Sequence, residues 1–341
     1  MASTQSTIRR INHVDESLLG KDAIEFLHNL QGPSWIEIPG KDMTSRRVVV
    51  TLLHGNEPSG LKAVHTLLKQ KIVPATQLGI MIASVDAASY NPSFSHRYIP
   101  GERDLNRCFT PPYPDNQSRL AENILELLHR FEPEAVIDTH NTSSHSEPFC
   151  VAVNENVPTL ELASLFADSL IVIDQSLGTL LEQVNQNIPT VTVEFGGFMD
   201  PNADSLALKT LRHFITADTV VGHDISSLRM LTKPLRLETE HHLTVTYSAS
   251  IDEQADLTII NTIDQLNFRT VAPGTILGWF APHQHQNLVA RDKNGTDMFG
   301  VYFDQTDGLL RTRESMTIFM ATTDPGVANN DCLLYFTLNT Y

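Results

Sequence analysis

Hydrophobic and polar positions alternate in one way up to about residue 231 and in another beyond it. From about residue 46, short apolar runs at 48–53, 79–85, 135–138, 170–173 and 190–193 have the length and β-branched content of buried strands. Amphipathic stretches separate them. In 59–70 the residues Leu61, Val64, Leu67 and Leu68 fall on one helical face, and in 118–130 Leu120, Ile124, Leu127 and Leu128 do the same before Pro133 stops the run. Residues 160–168 and 205–217 fill further helical slots. Strands alternating with helices predict a βαβ layout. Residues 1–45 read as a lead-in with one helix, 22–30, and one strand.

Beyond residue 231 the segments 243–247, 257–260, 275–279, 300–303, 317–320 and 333–338 are short and β-prone. Asn294-Gly295, Asp307-Gly308 and Pro325-Gly326 punctuate them as turns. The expected organisation is an α/β domain over 1–231, lead-in included, and a smaller β-rich domain over 232–341.

Composition narrows the class. The 341 residues carry 40 Asp and Glu against 24 Lys and Arg, a net charge of -16, which argues against nucleic acid or an anionic membrane as partner. Cys108, Cys150 and Cys332 lie far apart with no CxxC pairing, as expected for a reducing cytoplasm. The first twenty residues contain no apolar core of a signal peptide, and no run of 18 apolar residues spans a membrane. GxGxxG and GxxxxGK[ST] phosphate loops are absent.

Candidate chemistry sits at strand ends. In VVVTLLHGNEPSG, His54 follows a buried strand and Glu57 comes three residues later, before a helix. AVIDTHNTSS repeats the arrangement with His140, and TVTVEFGG ends a third strand on Glu194. In an open α/β sheet, ligands collect outside the carboxyl ends of strands, so these residues are expected at one edge. Two histidines and a carboxylate are the donor set of catalytic zinc hydrolases, and a separate Glu can accept the proton of the attacking water. Asp138 either orients a ligand or is a polar strand terminus. In HRYIPGERDLNRCF, the residues Arg97, Arg103, Asn106 and Arg107 form a basic cluster in an acidic chain, suited to a substrate carboxylate or a developing oxyanion. The alternative is a solvated loop whose cations pair with Glu102 and Asp104.

The motifs HGNEPSG, DLNRCF, DTHNTSS and VEFGG, in this order over residues 46–200, resemble the succinylglutamate desuccinylase and aspartoacylase family. The resemblance implies a zinc-carboxypeptidase-like mixed sheet flanked by helices, with a smaller C-terminal mostly β domain. It implies one Zn2+ per chain held by His54, Glu57 and His140, with Glu194 as general base and proton shuttle. Arg97 would polarise the scissile carbonyl, and Asn106 and Arg107 would hold a substrate carboxylate. The implied reaction is hydrolytic deacylation of an N-acyl amino acid, with a carboxypeptidase acting on short peptides as the alternative.

One stretch departs from the family pattern. Aspartoacylase-like members carry a further carboxylate-binding Arg shortly before the catalytic Glu, and QSLGTLLEQVNQNIPTVTVE contains no Arg or Lys. N-acetylaspartate is therefore not the expected substrate. His283 and His285 have an HxH spacing without a third ligand nearby and read as a solvated loop.

Overall fold

A computed structural model describes residues 7–174, 176–198, 200–281, 288–292 and 295–338. Two compact units are present. The first comprises the chain up to Asn141, Pro148–Val172 and the segment that ends at Met230; the second holds Thr142–Glu147, a short stretch around Asp174 and the chain from Leu231 onward.

A nine-stranded sheet organises the first unit. Its strands are β1 Arg9–Ile11, β2 Ser34–Ile38, β3 Asp42–Thr51, β4 Thr76–Ile82, β5 Ala135–Thr142, β6 Phe149–Ala152, β7 Ser169–Val172, β8 Thr190–Gly197 and β9 Arg229–Thr232, in the order β1-β2-β4-β3-β5-β8-β6-β7-β9. β3 pairs parallel with both β4 and β5, whereas β2–β4 and β6–β8 are antiparallel, so the sheet is mixed. The helices are α1 Glu16–Leu19, α2 Ala23–Leu30, α3 Ser59–Lys69, α4 Val85–Ala88, α5 Asn116–Phe131, α6 Val157–Ser164, α7 Leu180–Gln183 and α8 Pro201–Thr216.

Strand alternation explains the layering. Val48, Val49 and Val50 are fully buried, but Val49 joins the core built with α2, α3 and α8 while Val48 and Val50 join the core built with α5 and α7. A strand covered on both faces has no polar side to show, which is why 48–50 is a continuous valine run.

Local signals set the helix ends. Asp115 and Ser118 close a capping box at the start of α5, and Asp200 caps α8 ahead of Pro201. Arg47, almost wholly buried, closes the other end of α8. Its guanidinium donates to the carbonyls of Phe214 at 2.8 Å, Ala217 at 2.6 Å and Asp218 at 3.1 Å, and its Nε donates to Glu134 at 2.7 Å.

The lead-in contributes two strands to the sheet where the sequence reading placed one, and it adds α1. β6 and α7 are four residues each, too short for periodicity to reveal.

In the second unit, β10 Leu235–Thr239, β11 Val245–Ser248, β12 Leu257–Ile260, β13 Arg269–Val271, β14 Ile276–Phe280, β15 Leu288–Arg291, β16 Phe303–Thr306, β17 Leu309–Thr312, β18 Met316–Phe319 and β19 Leu334–Leu338 form two five-stranded sheets. Their orders are β13-β18-β19-β10-β15 and β11-β12-β14-β17-β16. The 300–303 segment is not a strand. Phe299–Tyr302 is a single helical turn that stacks Phe299 on Phe303, and β16 begins only at Phe303. His283 and His285 lie outside the described residues.

Candidate metal and catalytic site

β3 ends at Thr51, and the chain turns at Leu52, whose φ of 56° lies in the left-handed region uncommon for a non-glycine residue. Two contacts hold the turn. Leu52 O accepts from Ser84 N at 2.7 Å, and Gly55 N donates to Arg97 O at 2.8 Å. Gly55 cannot be larger, because a Cβ there would lie 2.6 Å from both Ala88 N and His96 O. The loop thereby presents His54 and Glu57 before α3 begins at Ser59.

His140 and Glu194 lie inside β5 and β8 rather than beyond their ends, because both strands run several residues longer than their apolar cores. β5 is the immediate neighbour of both β3 and β8, so three adjacent strands deliver the site residues.

Donor atoms of His54, Glu57 and His140 lie within 4.8 Å of one another, and all three residues are buried. Glu57 bridges the two rings, with Oε1 2.8 Å from His54 Nδ1 and Oε2 2.7 Å from His140 Nδ1. The Nδ1 atoms themselves are 3.2 Å apart. On the far side of each ring a carboxylate meets Nε2: Asp104 at 3.2 Å from His54 and Asp138 at 2.8 Å from His140. Each imidazole thus has one nitrogen turned to a common centre and the other held as a donor by an acid, the arrangement that orients metal-bound histidine.

The electrostatics follow from these pairs. Burial opposes ionisation of Glu57, but the His54 and His140 rings outweigh it and hold the carboxyl well below its usual range. Burial likewise disfavours charge on His140, yet Asp138 and Glu57 raise its pKa well above normal. Asp104 is held low against burial by His54, then Arg97 and Arg107. Glu194 behaves in the opposite way. Burial pushes it up to about 7, with His140 opposing and Glu57 adding to the rise. Its Oε2 is buried without a hydrogen-bond partner among the described residues, which leaves that oxygen available beside the cluster.

The donor chemistry fits one metal ion. Two imidazole nitrogens and a carboxylate oxygen are a donor set that zinc accepts, and the 3.2 Å separation of the nitrogens is close to the about 3.3 Å edge of a tetrahedron with roughly 2.0 Å bonds.

The basic segment divides. Arg97 donates through Nε to Asp104 at 3.0 Å and approaches Glu57 Oε1 at 3.4 Å, which places its guanidinium against the cluster. Asn106 is buried in the turn Leu105–Arg107, where its Oδ1 accepts from Leu180 N at 3.0 Å. Arg107 donates to Asn106 O at 3.0 Å. Arg103 points elsewhere and pairs with Asp115 at 2.9 Å.

Two residues of the site escape the sequence reading. Asp104 figured there only as an ion-pair partner for neighbouring arginines, yet it joins Arg97 to His54, fifty residues away in the chain. Asn141, beside His140, bonds Ser59 and Gly196. No spacing announces either role, because the partners are distant in the chain and meet only in the fold.

A mixed α/β sheet thus gathers, from β5 and the loop after β3, a buried His–Glu–His group that could hold one metal ion. The chain belongs to the succinylglutamate desuccinylase/aspartoacylase family, whose catalytic-domain model matches residues 45–216. No curated protein matches it significantly in sequence. Solved structures share its fold at low identity. The product-bound ectoine utilization protein EutE of Ruegeria pomeroyi is 16% identical with a TM-score of 0.58, over 89% of this chain and 88% of that one. A succinylglutamate desuccinylase/aspartoacylase from Rhodobacter sphaeroides is 13% identical with a TM-score of 0.58, over 89% and 88%. The succinylglutamate desuccinylase of Vibrio cholerae is 15% identical with a TM-score of 0.57, over 95% and 97%.

Proposed function

We propose that this chain is a zinc-dependent deacylase that hydrolyses the amide bond of an N-acyl amino acid, with one zinc ion per chain on His54, Glu57 and His140. The observation that carries the reading is Glu194, whose buried Oε2 has no hydrogen-bond partner among the described residues, beside a buried His–Glu–His group. Bound zinc supplies Lewis-acid chemistry, polarising the carbonyl and making water acidic enough to lose a proton near neutral pH.

The residues of the chain do the rest. Glu194 accepts a proton as a water oxygen adds to the amide carbon. The same proton passes to the nitrogen as the C–N bond breaks, so the products are a carboxylic acid and a free amine. Burial raises the pKa of the Glu194 carboxyl above the usual range, the direction that helps a group both take up and return a proton. Arg97, anchored by Asp104, offers its guanidinium to the oxygen that gains negative charge. Asn106 and Arg107 bind the substrate carboxylate, and the bidentate fork of Arg107 suits that group.

Cytoplasmic residence belongs to the same reading. The three thiols are free and buried, and burial raises all of their pKa values, that of Cys108 to about 11, which leaves them unreactive. Among the described residues no helix is long and apolar enough to cross a membrane.

The test is amine release by zinc-loaded protein from a panel of N-acyl amino acids, with C-terminal dipeptides alongside. Release from one acyl class, abolished by a chelator and restored by zinc, is expected. Cleavage of the dipeptides alone would replace the deacylase with a carboxypeptidase, and turnover indifferent to chelation would remove the metal from the reaction.

A further inference from the structure

α3 begins without a cap of its own. Its N-cap residue is Pro58, which has no side-chain oxygen to offer, and Ser59 N is one of the unpaired donors that open any helix. The cap arrives from another element. Asn141, in β5 and 82 residues away, accepts the Ser59 N–H on its Oδ1 at 3.1 Å. This bond fixes the orientation of the amide, since only the oxygen can face a backbone N–H. Nδ2 must then point the other way, and it donates to Ser59 Oγ at 2.9 Å and to Gly196 O at 3.0 Å.

Gly196 is two residues past Glu194 in β8, and its φ of 106° is open to glycine but strained for other residues. The backbone N–H of Asn141 meets Glu57 Oε2 at 3.2 Å. One buried side chain therefore spans the helix that follows Glu57, the strand of His140 and the strand of Glu194, and its backbone touches the ligand carboxylate.

We propose that Asn141 is a positioning residue that sets the separation of the metal-ligand loop from the strand carrying the general base, so that metal affinity and proton transfer depend on the same amide. The proposal rests on the metal site described under Proposed function. A buried amide with both N–H bonds donated and its oxygen accepting is held in one orientation, and its three bonds hold both neighbours in register.

Asn141→Ala removes the cap and the bridge while leaving the backbone bond to Glu57. Zinc affinity is read by chelator competition, the melting temperature is read on the metal-free protein, and kcat and KM are read on the substrate identified for the wild type. The expected result is a loss of zinc affinity of about 10- to 100-fold, with kcat lowered and KM within about twofold of wild type. A residue important only for folding would lower the metal-free melting temperature and leave the affinity and kcat of the folded protein unchanged; that result overturns the proposal. Should Asn141→Ala fail to fold, Ser59→Ala decides in the same way. It deletes one acceptor of the amide together with the Ser59 bond to Asp204, so Asp204→Asn is compared alongside as the control for that bond; a loss of about 2- to 10-fold in zinc affinity beyond the control is expected, with no loss beyond the control overturning the idea. Wild-type protein that binds no zinc defeats the metal site itself before any variant is compared, which keeps the two failures apart.

Discussion

The Nδ1 atoms of His54 and His140 face each other at 3.2 Å across the carboxylate of Glu57. Two lone pairs turned to one point beside a carboxylate repel, and a divalent cation bound between them would remove that repulsion. His140→Ala removes one donor and leaves Asp138 buried beside an empty space. Zinc content measured on the purified variant by mass spectrometry is expected to fall to a small fraction of one equivalent. Full occupancy would show that the ion sits elsewhere.

Glu194→Gln keeps the shape of the side chain and abolishes its basicity. Zinc content should match wild type while kcat falls by roughly 100- to 10,000-fold. Turnover close to that of the wild type would transfer the general-base role to another group.

The pH profile carries its own sign. Glu194 must be ionised to accept a proton, and in the metal-free chain burial places it at about 7. A cation on the adjacent ligands favours the carboxylate, so kcat/KM of the zinc enzyme should rise with pH and level off at or below that value. Activity that falls as pH rises through this range would contradict the assignment.

Gly60 tests how closely α3 must sit on the sheet. A Cβ at this position would lie 2.1 Å from Thr139 Oγ1 and 2.6 Å from Thr51 Oγ1. Gly60→Ala gains helix propensity but pushes α3 off the strands that carry the site, and the overlap outweighs a gain of about 1 kcal/mol. Thermal unfolding should show net destabilisation, and chelator competition should show weaker zinc binding. A variant more stable than wild type would mean that the helix start can shift without cost.

Arg47→Met separates stability from chemistry. Substitution leaves the carbonyls of Phe214, Ala217 and Asp218 without their donor, at a cost of roughly 3 kcal/mol or more. Urea unfolding should report that loss, while zinc affinity in the folded state stays near wild type. A change under about 1 kcal/mol would imply that water replaces the guanidinium freely.

Apolar spacing alone marks the strand–helix alternation of the first unit, because a strand covered on both faces must be apolar throughout and a covering helix must repeat every 3.6 residues. Motif spacing also places His54 and Glu57 in one loop, since three residues of turn cannot carry them far apart. Other features depend on partners distant in sequence. Asp104 reaches His54 across fifty residues, Asn141 caps a helix 82 residues away, and Arg47 closes one 167 residues away. The Asn141 contact exists because strand order sets β5 beside β3 and β8, while the other two join β3 or its loop to a distant loop and a helix end, and no local pattern encodes which segment will be the neighbour. Packing also decided β6, α7 and the turn at Phe299–Tyr302: each spans four residues, and unlike the equally short apolar runs of β7 and β12 none stands out by β-branched composition. The chain by itself determined which residues were available for chemistry; the sheet decided which atoms of those residues meet.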